Sequence, residues 1–141
     1  MIILQFTARR KIGSWLIRQF TWSDYSHVDI VLPDGRLLGA RLDGGVSIQP
    51  TGDFEKCLRV AVDAPDHVID IALTQIGKHY DISAIFGIIF RRDWHKPKKW
   101  FCSELVAWAF EQAGTPLLRT ENFNRVTPRD LLMSPLIKLI E

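Results

Sequence analysis

The fold of this chain is decided by the stretch Trp100-Phe101-Cys102-Ser103-Glu104-Leu105-Val106-Ala107-Trp108-Ala109-Phe110. Apolar residues recur in it at steps of three and four, and good helix formers fill the gaps, so the pattern predicts a helix. Cys102 lies where this helix starts. Unpaired backbone N–H groups and the positive end of the helix dipole gather there, and both favour a thiolate over a thiol. The stretch therefore predicts a cysteine nucleophile at a helix start.

A base for this cysteine is predicted on an upstream strand, residues 25–32. The even positions of the strand are mostly aliphatic and belong to the core, whereas the opposite face presents Tyr25, His27 and Asp29 side by side. A catalytic thiolate needs a group that returns a proton to the leaving group, and an imidazole can do so. We therefore interpret His27 as the partner base of Cys102.

The rest of the pattern predicts a single α+β domain over residues 1–141, in which a small antiparallel sheet packs against helices. Strands are expected at 1–7, 25–32, 36–41, 46–49 and 58–62. The last four are expected to form an antiparallel meander through turns at Pro33-Asp34-Gly35 and Asp43-Gly44-Gly45. Helices are expected at 12–20, from Pro65 to a stop at Gly77, at 82–90, from Cys102 to a stop at Gly114, and from Thr127-Pro128 through Met133.

Composition excludes several classes of protein. With 141 residues and a net charge of +2, the chain lacks the dominant basic face of a dedicated nucleic-acid binder, so no nucleic-acid partner is expected. The two cysteines, Cys57 and Cys102, form no disulfide framework, and we interpret Cys57 as a structural residue. No pair of cysteines or histidines has the close spacing of metal ligands, so we expect neither a metal nor a cofactor.

The N-terminal strand has no basic region before its apolar residues and no small-residue cleavage site after them, so it is not a signal peptide and a cytoplasmic location is expected. The longest apolar run, Ile82 to Phe90, is about half of the roughly 20 residues that a membrane span needs. No transmembrane segment is therefore expected. The oligomeric state is left open.

Two motifs resemble elements of a known family. Gly77-Lys78-His79-Tyr80-Asp81 and Phe101-Cys102-Ser103-Glu104-Leu105-Val106 look like the G-x-x-Y and C-S-x-L-V elements of the NlpC-type papain-like cysteine peptidases. In the usual order the histidine strand follows the cysteine helix, whereas here Ser26-His27-Val28-Asp29-Ile30 precedes it. The chain thus resembles the circularly permuted branch of that superfamily, which includes YiiX-like proteins and the lecithin retinol acyltransferase group. Its tail, Thr127-Pro128-Arg129-Asp130-Leu131 with Ser134-Pro135, looks like that of YiiX-like members.

The resemblance implies a circularly permuted papain-like fold with Cys102 as nucleophile and His27 as base. The polar residue that orients the imidazole usually lies on the next strand, about where this chain has Gly39, and a glycine cannot do that work. Asp29 is the best substitute, about 6.6 Å along the strand from His27. Arg41 is expected opposite His27, where a cation would lower the imidazole pKa. Substrate contacts are expected from the residues near these: Tyr80, Ser103, Tyr25 and Trp100.

Three functions are consistent with these residues. The first is a thiol hydrolase that cleaves an amide or ester, such as a small peptide, a peptidoglycan fragment or an acyl conjugate. The second is a lipid acyltransferase or phospholipase, with peripheral membrane contact through the basic, tryptophan-containing loop 91–100. The composition of this loop is equally consistent with a solvated surface segment. The third is a binding module or phage component that keeps the fold without turnover, for which Gly39 is the main argument.

Overall fold

A computed structural model describes residues 1–8, 25–41, 44–52, 56–80, 99–100, 102–118 and 126–140 of the chain. Within them, the strands of the main sheet are β1 (Ile2–Ala8), β2 (His27–Val31), β3 (Leu37–Arg41), β4 (Gly45–Gln49) and β5 (Lys56–Val62). They are followed by α1 (His67–Leu73), β6 (His79–Tyr80), β7 (Lys99–Trp100), α2 (Cys102–Gln112), α3 (Pro128–Leu132) and β8 (Ile137–Leu139). The α+β class predicted from the sequence is confirmed.

The main sheet has six antiparallel strands in the order β4-β3-β2-β1-β5-β8. β2, β3 and β4 form the predicted meander, but the prediction is wrong for β5, which pairs with β1 instead of β4. β1 is buried along almost its whole length. Because a buried strand with an unpaired edge would leave backbone N–H and C=O groups without partners, β1 needs a neighbour on each side. β8, which no sequence pattern predicted, extends the sheet beyond β5.

The strand register gives the sheet two different faces. Cross-strand partners share a face, and the pairs Leu4↔Ile30 and Phe6↔Val28 place apolar side chains together on one of them. The pairs Gln5↔Asp29 and Thr7↔His27 place polar side chains together on the other. The alternation of apolar and polar side chains predicted for β2 therefore continues in β1, and the polar side chains of the two strands are neighbours on one face of the sheet.

One hydrophobic core joins the apolar face of the sheet to the helices. It contains residues of β1, β2, β3 and β5, together with the buried residues of α1 and the fully buried Leu105, Val106 and Phe110 of α2. α2 contacts β2, β3, α1 and α3. The helix predicted around Cys102 thus lies against β2, the strand that carries both His27 and Asp29.

A second, two-stranded parallel sheet is formed by β6 and β7. Val46 N donates to Lys78 O at 2.8 Å, and Gly77 N donates to Val46 O at 3.0 Å, so the segment before β6 is held on β4. A Cβ at Gly45 would collide with the Lys78 carbonyl, so this close approach needs a glycine on β4.

The predicted helix after Pro65 is shorter than expected. It ends at Leu73, and a turn follows that Gly77 closes with φ +92°. Ile76, an apolar residue within the range predicted as helix, lies in that turn and is exposed. The predicted helices at 12–20 and 82–90 and most of the basic loop 91–100 lie outside the described residues. No helix in the described part of the chain is long and apolar enough to cross a membrane.

Candidate active site

His27 is the first residue of β2, and its side chain is 17% exposed. Its Nε2 lies 3.0 Å from Oδ1 of Asp29, two residues further along the same face. Asp29 is buried. The contact predicted between these two side chains is therefore present, and it occupies one of the two ring nitrogens of His27.

Arg41, at the end of β3, reaches the same carboxylate oxygen. Its Nη2 donates to Asp29 Oδ1 at 2.8 Å, and its Nη1 donates to the backbone oxygen of Ser47 on β4 at 3.2 Å. The guanidinium is buried beside Asp29. The positive charge of Arg41 is thus directed at the carboxylate of Asp29 and stabilises its ionised form.

Gly39 makes room for this arrangement. The register Ile30↔Leu38, continued by one residue, places Gly39 opposite Asp29. A Cβ built on Gly39 would collide with Asp29 Oδ1 and lie 3.1 Å from its Cγ. Any larger side chain at this position would have to displace the carboxylate. The polar group expected at Gly39 is replaced by Asp29, which fills the space that the glycine leaves.

Cys102 is the first residue of α2 and is fully buried. The first N–H groups of a helix have no partner within the helix, so the backbone around Cys102 presents donors. The charge of Cys102 and its hydrogen bonding to the imidazole both raise the pKa of His27, so the thiol group lies beside the ring. Since Nε2 is occupied by Asp29, Nδ1 is the ring nitrogen available to the sulfur. Cys102, His27 and Asp29 thus form a connected row.

The surroundings of His27 favour its charged form. Burial lowers the pKa of His27, but the charges of Asp29 and Cys102 and the hydrogen bonds to both side chains raise it, from 6.5 to about 10 overall. The expected lowering by Arg41 does not prevail, because the guanidinium is paired with Asp29. At neutral pH the imidazole therefore carries a proton that it can give away.

The other predicted site residues differ in where they lie. Ser103 is fully buried, and its hydroxyl donates to Val126 O, immediately before α3. Tyr25 does not continue β2, which begins at His27; its half-buried ring meets Phe6 edge-on, with centroids 6.3 Å apart. Tyr80 and Trp100 are adjacent on β6 and β7, and their side chains lie outside the described part of the structure. Their contacts with substrate stay predictions.

Among the described residues, no three histidine, cysteine, aspartate or glutamate side chains are grouped as a metal ion would require. Asp29 Oδ1, the acidic oxygen beside His27, already accepts hydrogen bonds from a ring nitrogen and from a guanidinium. A divalent cation at that oxygen would be repelled by Arg41. This part of the site does not fit a metal.

Sequence reasoning found Cys102, His27 and Asp29 but missed the contributions of Arg41 and Gly39. The signal was available: in an antiparallel hairpin that turns at Pro33-Asp34-Gly35, residues 39 and 41 lie opposite 29 and 27. A small residue opposite a carboxylate, with a cation two residues further along the same strand and on the same face, predicts a cross-strand ion pair.

No model of a known protein family matches this sequence, and no curated protein matches it either. A solved structure, that of the metalloprotein YiiX from Escherichia coli O157:H7, is similar with a TM-score of 0.72. The chain has a YiiX-like fold. The two sequences are 19% identical, and the match covers 99% of this chain and 94% of that chain. The similarity of fold thus extends over nearly the whole of both proteins.

Proposed function

We propose that this protein is a thiol hydrolase that cleaves an amide or ester bond, with Cys102 as nucleophile, His27 as acid and base, and Asp29 as the group that orients the imidazole. One observation carries the proposal: the His27 ring is held at Nε2 by Asp29, 3.0 Å away, and Cys102 lies beside the same ring, where it raises the pKa of His27. A buried structural histidine needs no second partner of this kind, whereas an acid-base catalyst between a thiol and a carboxylate does.

The proposed reaction follows from the charges of these groups. The Cys102 thiolate attacks the substrate carbonyl carbon and forms a C–S bond, while the oxyanion accepts hydrogen bonds from backbone N–H groups at the start of α2. The protonated imidazole of His27 donates its proton to the leaving amine or alcohol as the bond to carbon breaks. The neutral imidazole then takes a proton from water, which attacks the thioester and releases the acid and the thiolate.

Gly39 was the main argument for a binding module without turnover. With Asp29 in the space beside Gly39 and in contact with His27, the glycine no longer argues against catalysis. The structural neighbour YiiX is named a metalloprotein. The proposed reaction uses no metal, because the described residues around Asp29 do not fit one.

The proposal is tested by labelling with an iodoacetamide-alkyne and by hydrolysis of p-nitrophenyl butyrate. The two cysteines provide a matched pair, since Cys102 is buried beside His27 and Cys57 is exposed on β5. Cys57→Ser should keep turnover, Cys102→Ala should abolish it, and His27→Ala should lower kcat by at least about 10²-fold. Turnover that survives in Cys102→Ala would rule out the proposed nucleophile.

A further inference from the structure

Asp29 Oδ1 is shared by two donors on different strands. His27 Nε2 approaches it at 3.0 Å from β2, and Arg41 Nη2 donates to it at 2.8 Å from β3. A carboxylate oxygen has two lone pairs, so these two contacts use its accepting capacity in full. Both the carboxylate and the guanidinium are buried, where such contacts are stronger than in water.

Arg41 is held at a second point. Its Nη1 donates to Ser47 O on β4 at 3.2 Å, so the guanidinium extends from β4 to β2 over the position of Gly39. A side chain bonded at both ends of its planar group has little freedom to rotate. The carboxylate of Asp29 is therefore fixed by a neighbour that is itself fixed to the sheet backbone.

We propose that Arg41 is a positioning residue of the catalytic site, which fixes the carboxylate of Asp29 so that Asp29 holds the His27 ring towards Cys102. This inference rests on the proposed hydrolase function and extends it to the third strand of the sheet. With a permanent cation at Oδ1, Asp29 only accepts hydrogen bonds. The proton between Asp29 and His27 must then reside on Nε2, and Nδ1 is left to exchange protons with Cys102.

Two effects of Arg41 on His27 have opposite signs, and this makes the proposal testable. As a nearby cation, Arg41 lowers the pKa of His27; as the group that fixes Asp29, it raises that pKa. Cys102 faces the pair from α2. Beyond β1, the described charged or titratable residues on this face include Cys57 and Arg59 of β5, which pair with Thr7 and Gln5, and Arg59 Nε donates to Gln5 Oε1 at 2.8 Å. Thr7, opposite His27, does not titrate.

The experiment follows the His27 ring signals of the full-length protein by NMR as the pH is raised. In Arg41→Gln the titration midpoint of His27 should fall by about 1 pH unit or more, because Asp29 is no longer fixed. With p-nitrophenyl butyrate, kcat should fall and KM should stay the same. A midpoint that rises, or does not move, would overturn the proposal. The NMR titration does not depend on turnover. If the parent and its variants all lack esterase activity, that result would count against the hydrolase proposal and not against the positioning role of Arg41.

Two further variants complete the test. Arg41→Lys keeps the charge but cannot bond Asp29 and Ser47 with one rigid planar group, so its midpoint should also fall; a midpoint equal to that of the parent would overturn the proposal. If Arg41→Gln does not fold, the titration of Arg41→Lys provides the test of the proposal. Arg36→Gln is the matched control, because Arg36 forms an exposed ion pair with Asp34 at 2.7 Å in the same hairpin. It should leave the His27 titration unchanged.

Discussion

Asp29 and Gly39 show how one residue's size decides another residue's chemistry. Asp29 reaches the His27 ring only because the residue opposite has no Cβ. The charged carboxylate of Asp29 raises the pKa of His27 because it contacts the imidazole. A carboxylate moved away from the ring would not raise it. A glycine at the position expected for a polar residue therefore leaves room for a carboxylate beside His27.

The first prediction concerns the charge of Asp29. In the parent, the His27 ring should stay protonated at neutral pH and lose its proton only as the pH rises through about 10. Asp29→Asn keeps the shape and removes the negative charge that raises this pKa, so the midpoint should move down towards 6.5. NMR titration of the ring measures both midpoints. Equal midpoints in parent and variant would show that Asp29 does not set the charge of His27.

The second prediction concerns the space at Gly39. Gly39→Ala should push the Asp29 carboxylate away from His27 and lower kcat for p-nitrophenyl butyrate by at least about 10-fold. Gly52→Ala is the control, because a Cβ there meets nothing within 4 Å. Full activity in Gly39→Ala would mean that the contact between Asp29 and His27 is dispensable for turnover.

At the scale of elements, the helix that begins at Cys102 is attached to the start of α3. Ser103, the second residue of α2, donates from its buried hydroxyl to Val126 O. Next to Val126, Thr127 and Asp130 form a capping box: Asp130 N donates to Thr127 Oγ1 at 3.3 Å, and Thr127 N donates to Asp130 Oδ2 at 2.9 Å. The first turn of α2 is thus fixed to a capped helix start.

A third prediction separates this structural role of Ser103 from substrate binding. Ser103→Ala leaves a buried carbonyl without its donor, so the free energy of unfolding should fall by about 1–3 kcal/mol, with KM unchanged. Ser134→Ala is a matched control, since Ser134 Oγ donates to Leu117 O at 2.7 Å, also from a buried position. It should destabilise the protein similarly. Urea denaturation and ester kinetics measure the two effects; a raised KM with normal stability would assign Ser103 to the substrate.

For the whole molecule, sheet and helices share one core. Leu4 of β1 and Leu105 of α2 are both fully buried and belong to the same cluster, so each layer buries apolar side chains against the other. A chain with one such cluster is expected to unfold in one cooperative transition.

The fourth prediction tests this cooperativity. Leu4→Ala and Leu105→Ala should each lower the free energy of unfolding by about 2–5 kcal/mol, whichever layer carries the change. Met133→Ala, at an exposed side chain, should change it by less than about 0.5 kcal/mol. Denaturation followed by tryptophan fluorescence and by far-UV circular dichroism should give coincident curves. Two separated transitions would show that the layers unfold independently.

The sequence by itself determined the features that depend on neighbours along the chain. Alternation in β1 and β2, the turn at Gly35 with its φ of +88°, and the capping box of α3 all follow from local patterns. The candidate pair Cys102 and His27 was predictable for the same reason, because a helix start and the polar face of a strand are local properties.

Only the tertiary structure decided how these elements meet. The pairing of β5 with β1, the two donors at Asp29 Oδ1 and the space above Gly39 join residues that are distant in the sequence. No local pattern specifies such contacts, because strand order and side-chain approach follow from which surfaces can be buried together. The pKa of His27 belongs with them, since it is the sum of burial and of charges contributed by other parts of the fold.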